Sequence, residues 1–171
     1  MNNTEQTTRD AAFQIVMFEL CGEAYGIHLE SVQEVLRVVD ISRVPQAPDF
    51  IEGVIHLRGF VIPIIDPGKR FGLGSVERTR AARIIILEAD DQILGMLVDR
   101  VLEVATLEPG AVEPPSALLR GAMKSAYLIG FTEINETLVK LLDLEKIFSL
   151  NEISALIKIN ESEDETDRDD T

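Results

Sequence analysis

The chain has 171 residues, enough for one compact domain or two small units sharing a core. An apolar fraction of 46% supports a sizeable core, but with no Trp and 5% aromatics that core must be aliphatic. The net charge of −14 repels phosphate backbones. Lys69–Arg70 is a short basic pair and Arg78, Arg80 and Arg83 are sparse, so no basic stripe offers itself to nucleic acid.

Met1 to Asp10 is polar and has no apolar signal core, so residues 1–12 read as a flexible tail. Phe13 to Leu20 is an almost unbroken apolar run that predicts a strand. Cys21-Gly22-Glu23-Ala24 reads as a hairpin turn, and Tyr25 to Leu29 as its return strand. The lone Cys21 excludes an internal disulfide and a Cys-cluster metal site. Ser31 to Ile41 carries Val32, Val35 and Val38 at a spacing that also suits a helix; its valines favour a bent strand. Val35 is expected in the core. Pro45 and Pro48 force an extended connection.

Ile51 to Leu57 and Phe60 to Ile65 are apolar runs joined by Arg58-Gly59, the pattern of a tight hairpin. Pro63 inside the second run predicts an edge strand. Gly68 to Arg80 reads as a linker. Arg83 to Ala89 and Ile93 to Val98 form another hairpin, and Val101 to Leu107 a further strand. Glu108 to Pro115 is a loop with three prolines. Ala126 to Ile134 and Thr137 to Leu142 form the last strand pair. Asp143 to Ser149 reads as a helix with Asp143 as its N-cap, which Asn151 to Ile159 extends. Glu161 to Thr171 holds seven acids, one Arg and no apolar residue, the composition of a disordered tail. No uncharged apolar run reaches the ~20 residues needed to span a bilayer.

The two halves resemble each other. At a shift of 69 residues Glu19-Gly26-Val32-Glu34-Val35 falls on Glu88-Gly95-Val101-Glu103-Val104. At a shift of 77, Gly53-Asp66-Lys69-Phe71 falls on Gly130-Asp143-Lys146-Phe148. The chain therefore reads as a duplicated unit of about five short strands, the size of a small barrel. Two such barrels packed through an apolar seam leave a groove at its rim, a natural place for a partner helix.

Catalytic constellations are scarce. Gly72-Leu73-Gly74-Ser75 lacks the following Lys and the strand–helix context of a phosphate loop. His28 and His56 are isolated strand histidines, short of the three or four ligands zinc needs. A small-molecule or enzymatic barrel using them stays open to elemental analysis, where a stoichiometric metal would favour it. Arg58 is a different case. On a tight turn its planar fork could grip a carboxylate, or it is an ordinary solvated hairpin charge.

The run Val44-Pro45-Gln46-Ala47-Pro48-Asp49-Phe50-Ile51-Glu52-Gly53-Val54-Ile55-His56-Leu57-Arg58-Gly59-Phe60-Val61-Ile62-Pro63-Ile64-Ile65-Asp66 resembles the central signature of the CheW-like family of chemotaxis coupling proteins. Tyr25-Gly26-Ile27, Val32-Gln33-Glu34-Val35 and Gly95 to Val104 fit the same family. His56 departs from its usual Asn, and Pro67-Gly68 stands where an apolar residue is common; either could alter partner preference.

The resemblance implies a mostly β fold of two intertwined SH3-like five-stranded barrels with a short C-terminal helix. Its domain spans residues 13–150, in halves of about 13–71 and 82–148, with a C-terminal extension over 151–171. It implies a non-enzymatic cytoplasmic adaptor without a cofactor, recruited to receptor arrays at the inner membrane without entering the bilayer. That adaptor is a monomer in isolation. It bridges the cytoplasmic tip of methyl-accepting chemoreceptors to the regulatory domain of a CheA-type histidine kinase. Carried onto matching positions, kinase coupling falls to Arg58, Gly59, Gly53 and Glu34, and a receptor-facing groove to Val98, Val101 and Val104.

Overall fold

The computed structural model describes residues 11–89, 91–115 and 127–147. The N-terminal ten residues, Phe148 and Ser149, the 151–159 segment and the acidic run lie outside the described residues. Ten strands carry the fold: β1 (Phe13–Leu20), β2 (Glu23–His28), β3 (Val32–Arg37), β4 (Ile51–Leu57), β5 (Phe60–Ile65), β6 (Arg83–Ala89), β7 (Gln92–Val98), β8 (Arg100–Leu107), β9 (Leu128–Ile134) and β10 (Thr137–Leu142). A 3-10 turn at Leu29–Ser31 precedes β3, so of the bent strand predicted over Ser31 to Ile41 only Val32–Arg37 is strand, with alternating exposure. Within the predicted linker lies a helical turn, α1 (Pro67–Arg70), and α2 (Leu144–Ile147) follows β10.

The strands form two five-stranded SH3-like sheets, ordered β8-β1-β2-β10-β9 and β3-β6-β7-β5-β4. The duplication is exact in register. Ile15 faces His28 across β1–β2, and Ile84 faces Leu97 across β6–β7, both pairs 69 residues apart. The β-bulge at Ile51/Gly53 against Ile65/Ile64 recurs at Leu128/Gly130 against Leu142/Leu141, 77 residues on. Each sheet takes strands from both repeats. The parallel ladders Leu141↔Gly26 and Ile64↔Gly95 stitch one repeat to the other. The sequence repeats and the sheets are therefore cut at different places. One sheet is continuous in sequence from β3 to β7, and the other is built from the segments flanking it.

The ends of each sheet approach through a single bridge. Ser42, beyond β3, exchanges hydrogen bonds of 2.9 and 2.8 Å with Val54 of β4, and Glu113 does the same with Phe131 of β9 at 2.8 Å. This geometry corrects the edge reading of Pro63, because β5 lies between β7 and β4. Val54 turns its N–H and C=O to Ser42, so its pair with Pro63 needs no hydrogen bond. The proline nitrogen faces the β7 side, where the ladder begins only at Ile64. The missing donor is thereby accommodated inside a sheet.

The largest cluster of buried side chains joins both sheets, with Phe18, Tyr25, Ile64, Ile85, Met96 and Phe131 among its members. A smaller cluster of Phe13, Ile15, Met17, Leu107, Val139 and Leu141 fills the sheet built from the flanking segments. Each such side chain stabilises the fold by about 1.5–3 kcal/mol on burial. Asp66 is a buried exception at 1% exposure. It caps α1, accepting from the N–H of Lys69 (3.3 Å) and of Val76 (3.0 Å), while Pro67 occupies the first helical position. Burial pushes its carboxyl up despite these two donors. Asp143 caps α2 as predicted, accepting from the N–H of Glu145 at 3.2 Å.

Candidate functional site

The β4–β5 hairpin closes through Arg58 (φ 50°) and Gly59 (φ 83°). Positive φ at both positions is the twist-matched two-residue turn, and glycine adopts it without strain. Arg58 does not, so holding a β-hairpin tip in this shape carries a local cost. Its side chain reaches the opposite end of the same sheet. The two terminal nitrogens donate to Glu34 of β3 at 2.7 and 3.1 Å, a two-pronged pair. β3 and β4 are the outer strands of that sheet, so the pair clasps its edges on the same side as the Ser42–Val54 bridge. The Arg58 side chain remains 72% exposed and that of Glu34 26%. Two positions carried separately from the resemblance are thus one constellation.

Gly53 lies elsewhere in the hairpin. It is buried in the β-bulge with φ 145°, and a Cβ there would meet the Ser42 carbonyl oxygen at 2.1 Å. It fixes the bulge and offers nothing to solvent. The three valines also separate. Val98 is wholly buried, Val101 half-buried and Val104 53% exposed. Only Val104 presents most of its side chain, and Val98 lies within the main core cluster.

Val35 differs from its predicted core place: it is 42% exposed. On β3 the even-numbered side chains turn inward, and Gln33, Val35 and Arg37 turn out. Val104 is its repeat counterpart, so both outer strands show an apolar side chain to solvent. Phe60, next to Gly59, is 66% exposed. Sequence reasoning assigned it to a strand alone; its place beside the turn was the available signal.

The histidines do not meet in a cluster. Among the described residues no group of His, Cys, Asp and Glu is arranged to hold a metal, and no helix is long and apolar enough to cross a membrane. His28 stacks on Phe13 with ring centroids 4.7 Å apart. Among the described residues its buried Nε2 has no hydrogen-bond partner, and burial lowers its pKa against the opposing pull of Glu30 and Asp143. Tyr25 stacks on Phe18 and Phe71 in the core, and burial pushes its hydroxyl up.

The chain is similar to known proteins over most of its length. The CheW-like domain family matches residues 14–152. The chemotaxis protein CheW of Treponema pallidum (strain Nichols) is 32% identical over 88% of this chain and 90% of its own. The chemotaxis protein CheW of Klebsiella aerogenes is 30% identical over 87% of this chain and 89% of its own. The crystal structure of the scaffolding protein TtCheW from Thermoanaerobacter tengcongensis superposes with a TM-score of 0.75. It is 36% identical and covers 82% of this chain and 90% of that one. With the duplicated register, the two sheets and these matches in agreement, the chain belongs to the CheW-like domain family.

Proposed function

We propose that this protein is a non-enzymatic chemotaxis adaptor that couples the cytoplasmic tips of methyl-accepting receptors to the regulatory domain of a CheA-type histidine kinase. Family membership and the scaffold named in its structural relative support the adaptor role. The kinase contact rests on one observation, the Arg58–Glu34 clasp. An exposed guanidinium already held in place loses little further entropy when a partner arrives. Its remaining donors and the Glu34 lone pairs favour one charge pattern in that partner. Phe60 adds apolar area beside the turn. For the receptor, Val104 on β8 offers an exposed apolar side chain, while Val101 packs against the core cluster that holds Val98. The adaptor works as a monomer in the cytoplasm at receptor arrays, without a cofactor.

Calorimetric titration with the regulatory domain of the cognate kinase tests this reading, with wild type beside Arg58→Ala. Wild type binds and the folded variant binds more weakly. Unchanged binding by the variant moves the kinase contact away from Arg58. Absence of binding to both the kinase domain and a receptor tip overturns the adaptor reading.

A further inference from the structure

Arg78, Arg80 and Arg83 are sparse along the chain, but β3 brings Arg37 to them. The four arginines, with Val38, Thr79 and Ala82, line a cavity of about 590 Å³, and no acid is among its lining residues. Arg37 and Arg83 face each other directly across β3–β6. Like charges at that spacing repel, so the juxtaposition costs stability. The repeat does not impose it, because the equivalent pair in the other sheet is Gln14 and Thr106.

The arginines are also positioned. Arg83 donates from one terminal nitrogen to the carbonyls of Arg80 (2.7 Å) and Ala82 (2.8 Å). Arg78 is held by Glu52 at 2.8 Å, a carboxylate already shared with Lys69 at 2.7 Å. The turn carrying Arg80 is fixed by the Thr79 carbonyl, which accepts from the Ala82 N–H at 3.1 Å. Arg37 and Arg80 make no ion pair among the described residues. A protein of net charge −14 has thus gathered four guanidinium groups around one open concavity, with Glu52 pairing Arg78 from outside its lining.

Guanidinium groups spread around a space of this size, with those of Arg37 and Arg80 in no ion pair among the described residues, suit several carboxylates spaced along an extended peptide better than one phosphate. The chain carries such a peptide. Glu161 to Thr171 has seven acids and one Arg, with thirteen residues between it and Ile147. That connection spans at most roughly 45–50 Å, more than the ~35–40 Å breadth of a domain this size. Tethering supplies an effective concentration on the order of millimolar. We infer that the arginine cavity is a docking site for an acidic peptide segment, and that its occupant is the C-terminal run Glu161 to Thr171 of the same chain. The contact is electrostatic and reversible, and a salt-weakened one.

Paramagnetic relaxation on the full-length, 15N-labelled chain tests this, with a nitroxide on Thr171→Cys in a Cys21→Ser background. At low ionic strength the amides of Val38, Thr79 and Ala82 lose intensity. They recover it in ~0.5 M salt, and in an Arg37→Glu/Arg80→Glu variant whose other resonances stay at native positions. No intensity loss at low salt, loss centred on another surface, or loss that persists in the charge-reversed variant overturns the inference. Titration with inorganic pyrophosphate separates the alternative chemistry. Stoichiometric shifts at these amides, with no effect of the labelled tail, would make the cavity a phosphate site instead.

Discussion

Asn135 occupies in the second repeat the hairpin position that Arg58 occupies in the first, and both residues adopt φ of 50°. Asparagine tolerates that conformation far better than arginine does. The counterpart of Glu34 is Glu103 on β8, and with Asn135 at the β9–β10 turn no arginine stands there to meet it among the described residues. The two sheets share a framework, and only one carries the charged clasp. Arg58→Asn is therefore expected to leave thermal stability unchanged or slightly raised. The lost exposed ion pair contributes only about 0–1 kcal/mol, and relief of the strained turn offsets it. Thermal denaturation of Arg58→Asn beside Arg58→Ala checks this. A collapse of the melting temperature in both would make the clasp structural.

Gly53→Ala is expected to be severely destabilising. Its Cβ would lie 2.1 Å from a backbone oxygen, at a φ that side chains rarely adopt. Overpacking and backbone strain together cost roughly 3 kcal/mol or more. Gly130→Ala meets Glu113 O at 2.3 Å without that φ, and should lose less. Chemical denaturation of the two variants ranks them. Equal stability to wild type at Gly53→Ala would contradict the bulge geometry.

Ile64→Asp is expected to abolish folding. Ile64 is wholly buried where the parallel ladder joins β5 to β7, and its Cδ1 lies against Gly95. An unpaired carboxylate there forfeits the buried area and its own hydration, a loss of more than about 4 kcal/mol. Circular dichroism and gel filtration check it; a native-like soluble variant would contradict the core position.

Stability is expected to fall as pH drops below about 6.5, through His28. Burial lowers its folded-state pKa, so the unfolded chain takes up the proton first. The stabilising contribution is complete above the unfolded value and is lost as pH falls through the folded one. Glu23 and Glu52, both held below the usual carboxylate range, add losses of the same sign at lower pH. Asp66, pushed up by burial, opposes them. Comparing His28→Leu with wild type between pH 5 and 7.5 isolates the histidine. Equal slopes for the two would remove it as the cause.

Much of the local structure was legible in the sequence, because alternation and turn residues are local signals. Ile51–Leu57, Phe60–Ile65 and Thr137–Leu142 are strands within their predicted bounds, and Asp143 caps its helix. The duplication was legible as well, since its register tracks the two shifts. What a single chain could not display was partner choice between repeats. Nothing local to Gly26 or Gly95 names Leu141 or Ile64 as its parallel neighbour. From that gap follow the misplacement of Pro63 at an edge and of Val35 in the core. The Arg58–Glu34 clasp was half legible. Both residues were singled out, but their meeting depends on the sheet curling until β3 and β4 approach.

The order of strands also sets a timetable for synthesis. The sheet from β3 to β7 is contiguous and can be completed once Val98 has left the ribosome. The β1–β2 hairpin emerges first but must wait for β8, β9 and β10, holding Ile15, Met17 and Phe18 without their final neighbours. A nascent chain in that interval shows apolar strand edges to its surroundings. The first-made strands of this fold are therefore among the last to be finished.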